Sequence, residues 1–297
     1  MSKIYNGDRP YAVILGGSSG IGLATVKKLA NSGFNIVSIY RERRSGQKKL
    51  ESIFENIRQQ GSEVLAYNLN ALKKETMDAV VSDIQSAIGT KSVKLLLHSI
   101  ANGNLKPLRM SVDKIEQDIP SLDENESYKL FAELKRRTLE QQKFLKRLSV
   151  DDFNYTINAM ATSLLDWSNA FLDGELFMKN ARILGLTSEG NKKVWRGYAA
   201  VSSAKVVLES LVQHMALEYA PLGITANLIQ AGVTDTPSLR MIPGSEVMMA
   251  SSITRNPFGR LTTPEDIANI IYLLSRDEAS WINGTTIVAD GGEHLCP

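Results

Sequence analysis

The chain has 297 residues, 43% of them hydrophobic, enough for a buried core in one large α/β domain or two small ones. A formal net charge of +2 leaves no electrostatic footprint for nucleic acid, and no uncharged apolar run reaches the ~18 residues of a membrane span. Cys296, the only cysteine, excludes an intrachain disulfide and a cysteine-built metal site. Met1-Ser-Lys-Ile-Tyr-Asn-Gly-Asp carries no signal-peptide core, so a reducing cytoplasm is the expected compartment.

In chain order, Tyr11–Leu15 is a short apolar run, Gly16-Gly-Ser-Ser-Gly20-Ile-Gly22 is a glycine-rich turn, and a helical pattern then runs to Asn31, closed by Gly33. Asn35–Tyr40 is again rich in strand formers, which completes a βαβ unit. The alternation continues with helix over 50–60, strand over 63–67, helix over Lys74–Ile88 and strand over Val93–His98. Long helical patterns cover 153–171 and 198–219 on either side of a strand at 181–186; strand 225–229, helix 264–274 and strand 285–289 follow. Seven strands separated by helices predict one doubly wound, Rossmann-like α/β domain over 1–297, its parallel sheet covered by helices on both faces.

One stretch breaks the rhythm: 52 residues lie between His98 and Asp151, where a short loop is usual. Within this insertion, at about 105–150, residues 122–148 are charged and helical in pattern, with Leu130, Leu134, Phe144, Leu145 and Leu148 as apolar positions. It reads either as solvated amphipathic helix or, because it follows a central strand's carboxyl end, as a lid or partner-docking surface.

Two motifs carry chemistry. In the first, the glycines at 16, 20 and 22 permit a tight turn, let backbone N–H groups approach a pyrophosphate and offer it the next helix's N-terminus. In the second, Tyr198-Ala-Ala-Val-Ser-Ser-Ala-Lys205, seven helical residues sweep about 700°, so Tyr198 and Lys205 share one face about 10 Å apart. An ordinary core Tyr and solvated Lys would show the same spacing; the glycine turn tips the reading toward a site. The second strand ends in Tyr40-Arg41-Glu42-Arg43-Arg44 rather than in the carboxylate of an NAD site, and the arginines suit a 2′-phosphate. NADP is therefore favoured, with Glu42 as the competing ribose ligand. Three histidines, none at ligand spacing, predict no metal site, and His98 reads as a packed, hydrogen-bonded residue rather than an acid or base.

These motifs resemble the short-chain dehydrogenase/reductases over nearly the whole chain apart from the insertion. Asn158 in Thr156-Ile-Asn-Ala matches that family's helix asparagine, and Ala231-Gly-Val-Thr-Asp-Thr236 matches its Pro-Gly-x-x-x-Thr loop with Ala for Pro. Thr285-Thr-Ile-Val-Ala-Asp-Gly-Gly292 looks like its closing strand and turn. Most of the family has Tyr-x3-Lys and Asn-Asn-Ala-Gly. Here Ser202 precedes Lys205 and the fourth strand ends His98-Ser-Ile-Ala101, departures that resemble the enoyl-acyl-carrier-protein reductases, in particular an NADPH-using branch. In that comparison Ser188 takes the place of a second Tyr.

The resemblance implies cofactor contacts at Gly16, Ser18, Ser19, Gly20, Ile21, Gly22, Tyr40, Arg41, Arg43, Asn68, Leu69, Ser99, Ile100, Ala101, Tyr198, Lys205, Gly232, Val233, Thr234 and Thr236. It implies hydride transfer from NADPH to a trans-2-enoyl thioester on acyl-carrier protein or coenzyme A, as in fatty-acid synthesis. Tyr198 would donate to the developing enolate and Lys205 would bind ribose. Ser188 either bonds the substrate carbonyl or only ends a strand, and Asn158 either holds a water near Lys205 or is a structural helix residue. The apolar 237–256 segment, with Met241, Ile242, Val247, Met248 and Met249, reads either as a helix packing on the core or, from its place after the sixth strand and its methionines, as a mobile acyl-chain cover, the reading favoured here. A carbonyl or 3-oxoacyl reductase and a non-catalytic dinucleotide sensor are the alternatives. A homotetramer is expected, because Leu164, Leu165, Trp167, Val206, Leu208, Leu211 and Met215 exceed what one sheet face covers.

Overall fold

The structure is a computed structural model that describes residues 9–109, 129, 132–134, 136–137, 140 and 146–296. Seven parallel strands stand in the order β3-β2-β1-β4-β5-β6-β7: β1 Tyr11–Leu15, β2 Asn35–Tyr40, β3 Val64–Asn68, β4 Val93–His98, β5 Phe177–Ser188, β6 Thr225–Ala231 and β7 Thr286–Ala289. The central strands β1, β2 and β4 are buried along their whole length, which is why they are mostly apolar and do not alternate, with Asn35, Ser38, Lys94 and His98 as buried polar exceptions. The chain moves outward from β1 to β3 and then returns to pair β4 with β1. That reversal opens a crevice at the strands' carboxyl ends, the place where open α/β sheets bind ligands.

The helices are α1 Gly20–Asn31, α2 Arg44–Gln59, α3 Lys74–Ile88, α4 Val150–Ile157, α5 Ser163–Asp173, α6 Ala199–Glu218, α7 Pro237–Arg240, α8 Ser245–Arg255 and α9 Pro264–Ser275. Leu50, Phe54 and Ile57 give α2 its buried stripe at helical spacing. Ser149 with Asp152, and Thr263 with Asp266, close capping boxes at the starts of α4 and α9. One apolar layer gathers Val13, Leu96, Trp167, Phe171, Leu208 and Met215; the other gathers Ile14, Phe54, Leu97, Ile229 and Ile271 on the opposite sheet face. Each strand's alternation of side chains feeds both layers.

Two expectations need correction, and a third is met where it falls on described residues. The 153–171 helix is two helices joined by a π turn at Asn158–Thr162, and it begins three residues earlier than its pattern suggests. The apolar surplus expected on α5 and α6 is largely core: Leu164, Trp167, Leu208 and Met215 are buried within the single chain, and Val206 alone of that set is exposed. The helical expectation for the insertion falls partly outside the described residues, as do Leu130, Phe144 and Leu145; residues 129, 132–134, 136, 137 and 140 are helical. Among the described residues no helix is long and apolar enough to cross a membrane.

Candidate active site

The register Ser188↔Ala231 brings the end of β5 level with the end of β6, and Tyr198 sits at the N-cap of α6. Burial pushes the Tyr198 phenol above its ordinary pKa, while the neighbouring Ser188 hydroxyl draws it back. Ser188 Oγ is itself buried and has no hydrogen-bond partner of good geometry, an orphaned donor beside the phenol. Gly190 makes this closeness possible: a Cβ there would stand 2.6 Å from Tyr198 Cε1 and 3.3 Å from Ser188 Oγ.

Two turns further along α6, the buried Lys205 ammonium donates to the Leu186 carbonyl at 2.7 Å. Burial lowers its pKa to about 8, and Glu209 one turn on pulls it back up. Glu209 also accepts from Thr187 Oγ1 at 2.8 Å and from Asn191 Nδ2. Sequence reading missed Glu209; its signal was the i,i+4 spacing from Lys205.

His98 is the packed histidine expected. It is buried, lies 2.8 Å from Ser163 Oγ, and is held down to a pKa of about 3 by desolvation and by the nearby Lys205 charge. Asn158 opens the π turn, and its amide lies 3.4 Å from Thr162 Oγ1. It does not line the cavity described below, although the turn packs against α6.

At the cofactor end, Gly22 is required by close approach, since a Cβ there would lie 2.1 Å from the Gly16 carbonyl oxygen. Ser19, the N-cap of α1, makes no side-chain cap bond, and neither α1 nor α2 has an acidic residue in its first turn. The N-terminal amides of α1 are left for an outside acceptor. Arg41, Arg43 and Arg44 are exposed and form no ion pair among the described residues. Glu42 is turned away from competition: its carboxylate accepts the Arg43 N–H at 2.9 Å and folds over Gly46.

Other residues expected at the cofactor are committed elsewhere by their side chains. Tyr40 is buried against Phe54, ring centroids 5.8 Å apart, and its carbonyl accepts the Leu69 N–H at 2.8 Å. The Asn68 amide clamps the Glu42 peptide through bonds of 2.8 and 3.1 Å, which fixes the arginine loop. The Thr234 hydroxyl bonds the Gly232 carbonyl and the Thr236 hydroxyl caps α7. Leu69 is exposed, and Ser99 continues the β1 ladder through its N–H to Leu15.

A cavity of about 860 Å³ takes in part of this set; Gly16, Gly20, Gly22, Arg41, Arg43 and Ser99 do not line it. Ile21, Ala101, Gly232, Val233, Thr234 and Thr236 line one end, with Ser188, Tyr198 and Lys205 in the middle. Beyond them stand Leu105, Leu134, Met160 and Trp195, with Ile242, Val247 and Met248 from the α7–α8 segment; Met241 and Met249 do not line it. Leu134 brings the insertion into the wall. Sequence reading also missed five charged residues there, Glu189, Lys193, Arg255, Asp290 and Glu293.

Comparison with known proteins agrees with this architecture. Residues 134–294 match the family model described as Enoyl-(Acyl carrier protein) reductase, and residues 10–119 match that of short chain dehydrogenase. The chain is 34% identical over 147 residues to an acetoacetyl-CoA reductase of Shinella zoogloeoides, a match covering 50% of this chain and 61% of that protein. It is 36% identical over 120 residues to a 1-cyclohexenylcarbonyl-CoA reductase of Streptomyces collinus, covering 40% and 43%. The chain thus spans about half the length of these two curated relatives. The Bacillus cereus enoyl-acyl carrier protein reductase, solved with NADP+ and indole naphthyridinone, shares the fold with a TM-score of 0.77 at 22% identity over 100% of both chains. With one model covering more than half of it, the chain belongs to the short-chain dehydrogenase/reductase family.

Proposed function

We propose that this protein is an NADPH-dependent reductase of α,β-unsaturated acyl thioesters, working in fatty-acid synthesis as a homo-oligomer. The observation that carries the reading is the buried phenol of Tyr198 beside the unpartnered Ser188 hydroxyl, both on the wall of a mainly apolar cavity with Lys205 behind them. The crevice fits the dinucleotide. The uncapped N-terminus of α1 suits its pyrophosphate, and the unpaired Arg41 and Arg43 suit a 2′-phosphate. Lys205, which has two ammonium protons beyond the one given to Leu186, suits the ribose hydroxyls.

When bound, NADPH supplies the hydride. The chain's own task is to meet the charge that develops on the thioester oxygen. Tyr198 Oη donates its hydrogen bond to that oxygen as the enolate forms, in a cavity where little water competes. Lys205, two turns further along α6, fixes the ribose and keeps a positive charge in the same cavity. Ile242, Val247 and Met248 cover the acyl chain and exclude water.

A second reading, reduction of a 3-oxoacyl thioester, is favoured by Ser188: two hydroxyls on one wall can both address a single ketone oxygen. NADPH oxidation with crotonyl-CoA and acetoacetyl-CoA in parallel separates the two. Faster turnover of the enoyl substrate supports the first reading. Turnover of acetoacetyl-CoA alone replaces it with the second, and turnover of neither argues for a dinucleotide-binding protein without this activity.

A further inference from the structure

The far wall of the cavity holds an ionic chain that the reduction chemistry above does not use. Glu293, in the turn after β7, is 2% exposed. Its Oε2 accepts the Val233 backbone N–H at 3.2 Å, and its Oε1 accepts from Arg255 NH2 at 3.0 Å. Arg255 is the last residue of α8 and reaches Glu189 Oε2 at 3.4 Å. Glu189 follows Ser188 directly and also pairs with Lys193 at 2.7 Å. The partners are 66 and 38 residues apart in sequence. Val233 belongs to the loop after β6, α8 to the substrate cover, and Glu189 to the turn beneath Tyr198. No space separates the first of these from the carboxylate, since a Cβ on Gly232 would lie 3.0 Å from Glu293 Oε2.

We infer that Glu293 and Arg255 are positioning residues that transmit the state of the cofactor loop to the substrate-covering helix α8. The inference rests on the reading of 232–236 as a cofactor loop. The physical reason is the cost of leaving a buried charge unpaired. Glu293 cannot release Arg255 without leaving a buried carboxylate short of its charged partner, so a ligand that holds the loop at Val233 also holds Glu293, Arg255 and, through Glu189, the end of α8 in the contacts seen here. Filling the cofactor end thereby steadies the acyl-site wall, and the coupling runs through two bonds to one carboxylate.

Hydrogen–deuterium exchange on the full chain, with and without NADPH, tests this without reading activity. In the unmodified protein NADPH slows exchange at 16–22, at Val233 and across 245–255. In Glu293→Gln, which keeps the side chain's shape, and in Arg255→Met, slowing at 16–22 persists while the slowing across 245–255 falls at least tenfold; Arg255→Lys recovers part of it. Should Glu293→Gln fail to fold, Arg255→Met with its Lys rescue reads the same coupling. Equal slowing of 245–255 in the variants and the unmodified protein overturns the inference, as does a silent 245–255 beside a protected 16–22. Absence of any slowing at 16–22 overturns the cofactor reading itself, and the coupling with it.

Discussion

At the residue scale, the site is built from groups whose burial sets their chemistry. Tyr198 and Lys205 are shifted by desolvation in opposite charge senses, the phenol held protonated and the ammonium brought down to about 8. His98 shows the same physics without a place in the reaction: desolvation and then Lys205 hold it at about 3, well below the ordinary 6.5. Because its folded pKa is lowered, the unfolded chain binds a proton between about pH 6.5 and 3 that the folded chain refuses, so stability falls as pH falls through that window. The loss attributable to His98 by pH 5 is about 2 kcal/mol. Urea unfolding at pH 7 and pH 5 should show a smaller difference between the two pH values for His98→Asn than for the unmodified protein; identical differences would remove His98 as the cause.

Among the elements, the contrast between capped and uncapped helices separates structure from function. The capping boxes of α4 and α9 satisfy their own first turns, whereas Ser19 leaves the N-terminus of α1 without a side-chain cap. Arg41→Ala should weaken NADPH by about 1–3 kcal/mol, the scale of a charge-assisted hydrogen bond, and leave NADH unchanged. Calorimetric titration of both nucleotides checks this, and equal NADH and NADPH affinities in the unmodified protein would contradict it. Strands such as Asn35–Tyr40 and Val93–His98 were legible to the residue, because full burial writes a short segment rich in apolar strand formers. The start of α2 was not, because Arg44-Ser-Gly-Gln carries no apolar stripe. The π turn at Asn158–Thr162 was hidden for another reason: a shift from i→i+4 to i→i+5 bonding leaves no mark in the side-chain pattern. Tyr198, Lys205 and Ser188 were legible through local spacing and resemblance, while Glu189, Arg255 and Glu293 are joined only by the fold.

For the whole molecule, the correction to α5 and α6 moves the argument for assembly to another face. Asn283 bonds the Ala216 carbonyl at 2.8 Å, which sets the turn bearing Trp281 beside the end of α6, where Leu217 is exposed. Trp281 is 97% exposed, and Val288 on the edge strand β7 is also open. We expect light scattering at micromolar concentration to give a multiple of the 32.7 kDa chain mass; a monodisperse monomer would refute it. The fold, the crevice and the cavity all serve the claim that Tyr198 stabilises charge on a thioester oxygen, and one comparison tests that most directly. Tyr198→Phe removes a single hydroxyl, so the Kd for NADPH should stay within about twofold while kcat for crotonyl-CoA falls about 100-fold or more. If Tyr198→Phe reduces crotonyl-CoA at the unmodified rate, Tyr198 is not the donor and the mechanism is wrong.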